Sequence, residues 1–97
     1  MPACKALIAT PEASRLIKRL LTHWGHKFET TFDERHGEVP FDADTRALFD
    51  ADEAALAVRI QASDPARLAR MQEVVAEHLQ RMARASTLEI TWHPDAN

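Results

Sequence analysis

Ninety-seven residues, 45% hydrophobic and 28% charged, make one domain spanning 1–97 and exclude a disordered chain. A net charge of -3 excludes the basic surplus of a typical nucleic-acid binder, and basic side chains on the helices are interleaved with acidic ones. Cys4 is the sole cysteine, so no internal disulfide forms; no signal-peptide pattern and no apolar run of about 20 residues is present, and the expected protein is soluble and cytoplasmic, with no membrane partner.

The first element in chain order is a short apolar strand from Cys4 to Ala9. Thr10-Pro11-Glu12 then starts a helix: Thr10 accepts from a free backbone N–H, Pro11 suits the first helical position, and Glu12 favours the positive end of the dipole. Ala13, Leu16, Ile17, Leu20 and Trp24 form its apolar stripe, and Gly25 is expected to supply a left-handed stop.

Four strands are expected next. In Lys27 to Asp33, Phe28, Thr30 and Phe32 share a face. The hairpin loop Asp33-Glu34-Arg35-His36-Gly37 places Gly37 where a positive φ is useful. Val39 and Phe41 continue the inward face, and Pro40 implies limited pairing on one side. Asp42-Ala43-Asp44 turns the chain into Thr45 to Asp50, with Ala47 and Phe49 inward. Ala55 to Ala62 alternates, Leu56, Val58 and Ile60 one way and Arg59 and Gln61 the other.

Asp64-Pro65 opens a second helix running to about Arg84, with Leu68, Met71, Val74, Val75, Leu79 and Met82 as its buried stripe and Glu77–Arg81 as a supporting pair. The final strand, Thr87 to His93, turns Leu88, Ile90 and Trp92 inward. The order is β-α-β-β-β-β-α-β. One apolar face per strand and two striped helices predict an α+β two-layer sandwich, with both helices on one face of a mainly antiparallel sheet.

Five histidines carry most of the available chemistry: His23, His26, His36, His78 and His93. At about 100° per residue His78 falls within the second helix's stripe, His23 lies at the edge of the first helix's, and His26 follows Gly25. Helices laid side by side would bring His23, His26 and His78 to one end of the layer. Three imidazoles suit iron or zinc and leave a position open for water or substrate. The competing account makes His78 a packed residue bonded to main chain, with His23 and His26 finishing a helix; residue types alone favour it, because H-x-x-H across a helix end is a weak signal. His36 and His93 read as solvated, and Trp24 and Trp92 as core.

Other chemistry has no signature. Two glycines cannot make a phosphate loop, and no H-E-x-x-H is present. Ser14 lies in a helix, Ser63 beside a cap and Ser86 in a loop. Cys4, near a flexible N-terminus, has no resolving thiol.

The chain resembles a bacterial family known as domain of unknown function 2218. The resemblance rests on Thr10-Pro11-Glu12-Ala13-Ser14-Arg15, His23-Trp24-Gly25-His26-Lys27-Phe28, Gly37 through Phe41, Val74-Val75 through His78-Leu79, and Leu88-Glu89-Ile90-Thr91-Trp92. Similar domains occur joined to flavin-dependent siderophore-interacting reductases, which implies a link to iron-siderophore utilisation and either such a reductase or a small ligand as partner. His23, His26 and His78 match the family pattern, with Trp24, Lys27 and Met82 as neighbours. Leu21 stands where members often carry cysteine, and Met82 where they carry phenylalanine, which removes the softest candidate ligand.

A binding or accessory module with the three histidines as contact site is therefore the first expectation. An enzyme with His78 or His23 as general base is the second. A homodimer paired through Leu48, Ala55 and Ala57 on the outer sheet face is the third.

Overall fold

The computed structural model describes residues 2–84 and 87–95. Its elements are β1 (Ala3–Ala9), α1 (Ala13–Trp24), β2 (Thr31–Phe32), β3 (His36–Asp42), β4 (Thr45–Ala51), β5 (Ala55–Gln61), α2 (Pro65–Ala83) and β6 (His93–Pro94). They form the expected α+β sandwich in the expected order. The six strands make one antiparallel sheet in the order β2-β3-β4-β5-β1-β6. β3, β4 and β5 follow each other as hairpins. β1 then pairs with β5 along its whole length, Ala3 opposite Gln61 through Ala9 opposite Ala55. This pairing joins residues distant in sequence next to the central β4–β5 hairpin.

Both helices lie on one face, and the core fills the space between. Ile8, Val39, Ala47, Phe49, Leu56, Val58 and Ile60 project from the sheet, while Leu16, Ile17, Leu20, Leu21, Val75 and Leu79 come from the helices. Each full burial of such an aliphatic or aromatic side chain stabilises by about 1.5–3 kcal/mol. The outer face keeps Leu7 72% exposed, beyond the Leu48, Ala55 and Ala57 expected there.

The helix starts differ in detail. Asp64 caps α2 as expected, its Oδ1 accepting from Arg67 N–H at 2.8 Å with Pro65 at the first position. α1 begins later than its sequence suggests. Thr10 Oγ1 accepts from the Glu12 N–H at 3.1 Å in a turn, and helical bonding starts with Leu16 N–H donating to the Glu12 carbonyl. Thr10 therefore organises the approach rather than the helix's own first turn.

Neither glycine adopts a positive φ, which corrects both expectations. Gly25 remains right-handed at φ -59°, and the chain continues through further turns, Lys27 and Phe28 both donating to the Trp24 carbonyl at 2.9 Å. Gly37 is buried inside β3, where a Cβ would fall 2.5 Å from Leu21 Cδ2 and 3.1 Å from Ile17 Cγ2. The missing side chain lets α1 sit close to the sheet.

The two end strands are shorter than predicted. β2 spans Thr31–Phe32, because Lys27 and Phe28 are held in the turns after α1. Pro40 lies beyond the Thr31–Glu38 and Phe32–Gly37 pairs, so β3 is paired on one side only there. β6 comprises His93–Pro94 beside Cys4 and Lys5, while Thr87–Trp92 runs without ladder pairing. Leu88, Ile90 and Trp92 still turn inward. Asp95 fastens this end, its N–H donating to the Ala3 carbonyl at 2.9 Å and its Oδ2 lying 2.6 Å from Arg59 Nε. The Arg59 contact is a charge contact without hydrogen-bond alignment. Cys4 is not at a loose end: it is 2% exposed within β1. Ser86 lies outside the described residues.

Candidate functional site

The end of α1 meets the side of α2 around an aromatic group. Trp24 is the last residue of α1 and is buried. Its ring lies edge-on to Phe41 of β3, centroids 5.1 Å apart at 85°, and Phe28 packs edge-on to Phe41 at 5.1 Å and 80°. Such edge-to-face pairs add about 0.5–1.5 kcal/mol beyond area burial. They fix the turn carrying Lys27. Thr30 Oγ1 reinforces it by donating to the Leu21 carbonyl at 3.2 Å, beneath Gly25.

On α2, Arg67, Met71, Val74 and His78 recur at spacings of four, three and four and so share one side of the helix. This side and the aromatic group enclose a cleft of about 240 Å³, with Lys27 also on its wall. Arg67 Nη2 donates to Asp42 Oδ2 at 3.1 Å, so its charge is already matched. Asp42 is held below the ordinary carboxylate range, first by the Asp44 backbone N–H and in smaller part by Arg67. Lys27 forms no ion pair among the described residues.

His78 is half-buried, and its Nδ1 lies 2.7 Å from the Val74 carbonyl oxygen. A carbonyl only accepts, so Nδ1 carries the hydrogen; in the neutral ring Nε2 then has its lone pair available. Nε2 has no hydrogen-bond partner among the described residues. The ring leans on Trp24 at 5.1 Å and on His23 at 5.9 Å. His78 therefore combines main-chain bonding at one ring nitrogen with a place in the lining of the cleft.

Of the three histidines singled out in the sequence, His23 and His78 are brought together. His26 is exposed in the turn after α1 and makes no ring contact with either. Among the described residues, no group of three or more His, Cys, Asp or Glu is arranged to hold a metal ion. Trp24 and Lys27 line the cleft, whereas Met82 and His23 line a separate groove between α1 and the end of α2. Sequence reasoning missed Phe41 and Arg67. Arg67 was discoverable, since it continues the Met71–Val74–His78 spacing by one turn; Phe41 depends on where β3 lies in the sheet. His36 is also more than a solvated residue: its Nδ1 lies 2.7 Å from Asp50 Oδ1, and that hydrogen bond raises its pKa.

Comparison with known proteins agrees with this fold. No curated protein matches the chain. Among solved structures, the NMR structure of PA4090 from Pseudomonas aeruginosa is similar at 38% identity and a TM-score of 0.81, covering 97% of each chain. The model of the family described as "Uncharacterized protein conserved in bacteria (DUF2218)" matches residues 5–93. With nearly the whole chain inside that match, the chain belongs to the DUF2218 family of bacterial proteins.

Proposed function

We propose that the chain is a small binding or accessory module whose ligand enters the cleft between the end of α1 and the side of α2. The bonding of His78 carries the reading: Nδ1 is given to Val74, which leaves Nε2 without a partner among the described residues on a side chain that lines the cleft. Trp24, Phe28 and Phe41 offer apolar ring surface, and Lys27 offers a positive charge without a counter-ion among the described residues. These features suit an anionic ligand with a flat or aromatic part that donates one hydrogen bond. Drug-sized ligands occupy roughly 300–1,000 Å³, so a cleft of about 240 Å³ takes one such group rather than a whole large chelate.

The finer form of the proposal is assistance in iron-siderophore utilisation, in the cytoplasm and beside a siderophore-interacting reductase. The family resemblance motivates it. An anionic arm of a ferric siderophore has suitable chemistry for Lys27 and the ring surface. A lone cysteine fits a reducing compartment, and no helix among the described residues is long and apolar enough to cross a membrane. Direct ligation of iron or zinc by His23, His26 and His78 remains a separate arm of the same test.

The test is an NMR titration of the full chain with gallium-loaded catecholate and hydroxamate siderophores, and separately with zinc and ferrous iron. Saturable shifts at the Trp24 indole, the Lys27 amide and the His78 ring support the proposal, with weakened binding in His78→Gln and Lys27→Ala. Unchanged signals at all three positions with every siderophore overturn the siderophore reading. Zinc or iron moving all three histidine rings together would favour a metal centre instead. The unpartnered Nε2 also suits a general base, giving a second reading as a small-molecule enzyme. Turnover lost in His78→Gln while ligand affinity is retained would favour that reading.

A further inference from the structure

α1 has an uneven charge. Within Ala13–Trp24 it carries Arg15, Lys18, Arg19 and His23 and no carboxylate, although the whole chain is acidic at -3. The interleaving expected from sequence holds for α2, with Glu73 and Glu77, but not for α1. These side chains line a groove of about 530 Å³ together with Thr22, the half-buried Met82 and Arg84 just beyond α2. No acidic residue among the described residues lines it. Arg84 takes a positive φ of 54° with ψ -91°, a conformation uncommon for a residue with a side chain.

Several features offset part of this charge. Arg15 Nη1 is 2.9 Å from Glu12 Oε1. Arg19 Nη1 donates to the Met82 carbonyl at 3.1 Å, which meets the negative end of the α2 dipole with a guanidinium. The side chains of Lys18, Arg84 and His23 have no ion-pair or hydrogen-bond partner among the described residues. Arg15 and Lys18 also border a neighbouring cavity with Asp33 and Glu34; within the groove itself positive charge is in excess, and a bound anion relieves the repulsion among like charges.

We propose that this groove is a second binding site, distinct from the His78 cleft, and that it takes a linked polyphosphate group, either free or carried by a nucleotide. Guanidinium forks match phosphate oxygens in a bidentate manner, and the Thr22 hydroxyl can add a neutral donor. A di- or triphosphate concentrates several charges within the width of one groove. An acidic peptide spreads one charge per residue, about 3.3 Å apart at full extension, and fits such a gathering less well. His23 lines the groove, while its ring touches His78, which lines the cleft. The two sites thus meet at one pair of imidazoles.

The experiment titrates the full chain by NMR with inorganic tripolyphosphate, adenosine triphosphate and hexaglutamate, each against chloride at matched ionic strength. The expected result is a saturable shift of Lys18, Arg19, Thr22 and Arg84 with both phosphates. Equal affinity for the two assigns the site to the phosphate chain alone, and tighter nucleotide binding assigns it to a carried group. Lys18→Glu should weaken binding by roughly tenfold or more, through loss of one charge-assisted contact. Lys5→Glu, on an exposed β1 position, should leave it unchanged. Hexaglutamate binding as tightly as tripolyphosphate would overturn the assignment. So would phosphate shifts that fail to saturate at millimolar concentration, or that Lys18→Glu does not reduce.

Discussion

Replacing Gly37 with alanine tests how α1 is seated on the sheet. The added methyl would lie 2.5 Å from Leu21 Cδ2, 3.1 Å from Ile17 Cγ2 and 3.4 Å from Phe32 Cβ. Leu21 and Ile17 are fully buried, so neither can turn aside into solvent. Overpacking costs about 1–3 kcal/mol, and losing glycine's unfolded-state freedom returns about 0.4–1 kcal/mol; with a 2.5 Å approach to Leu21 placing the cost in the upper half of the first range, Gly37→Ala should destabilise by about 1–2.6 kcal/mol. For a domain of this size each kcal/mol lowers Tm by about 4–8 °C. Urea unfolding followed by Trp24 and Trp92 fluorescence measures the change, and Leu21→Ala supplies the cycle. Leu21→Ala alone should cost about 2–5 kcal/mol, and adding Gly37→Ala to it should cost less than Gly37→Ala costs in the parent, since the methyl enters vacated space and only the 3.1 Å approach to Ile17 Cγ2 remains tight. Gly37→Asn separates packing from backbone conformation: a left-handed site tolerates Asn better than Ala, a close-packed site tolerates it worse. Gly37→Ala matching the parent stability, or Asn outperforming Ala, would refute the reasoning.

Further outcomes follow from local features. Asp64→Ala should lose about 1 kcal/mol because it removes an N-cap acceptor, whereas Glu12→Ala should change stability by a few tenths, its side chain making no cap bond and only an exposed pair; chemical denaturation compares them. The raised His36 pKa means that its pairing with Asp50 stabilises fully below about pH 6.5 and is lost as pH rises through the folded value. Solvent screening limits the effect to within about 1 kcal/mol, so Asp50→Asn should lower stability at pH 6 and leave it unchanged at pH 9, and a deficit of equal size at both would exclude the ion pair as cause. Burial raises the Cys4 pKa and leaves the residue 2% exposed. A thiol reagent should label it only as fast as the chain opens, and immediate labelling of native protein would contradict that burial.

Local periodicity determined much of this protein. Alternation in Ala55–Gln61, the stripes of both helices and the Asp64-Pro65 start depend on neighbours one to four residues apart, and they were legible because those distances are set by strand and helix geometry. The inward positions of Ala47, Phe49, Leu56, Val58 and Ile60 followed directly. The glycines show where such reading ends. Sequence presents conformational freedom as their usual role, but Gly37 is needed because Leu21 and Ile17 press on it from another element.

The candidate site divides in the same way. The place of His78 within its helix stripe was readable, as was its nearness to His23 once two helices share a face. Which of its ring nitrogens is left free was set by the Val74 carbonyl, and the cleft that the residue lines by Phe41 and Lys27 arriving from separate elements. His26, three residues from His23, lies past the helix end, where helical spacing no longer governs position. Only tertiary structure decided these matters, because a binding surface arises from distances between elements, and no repeat along a single segment encodes them.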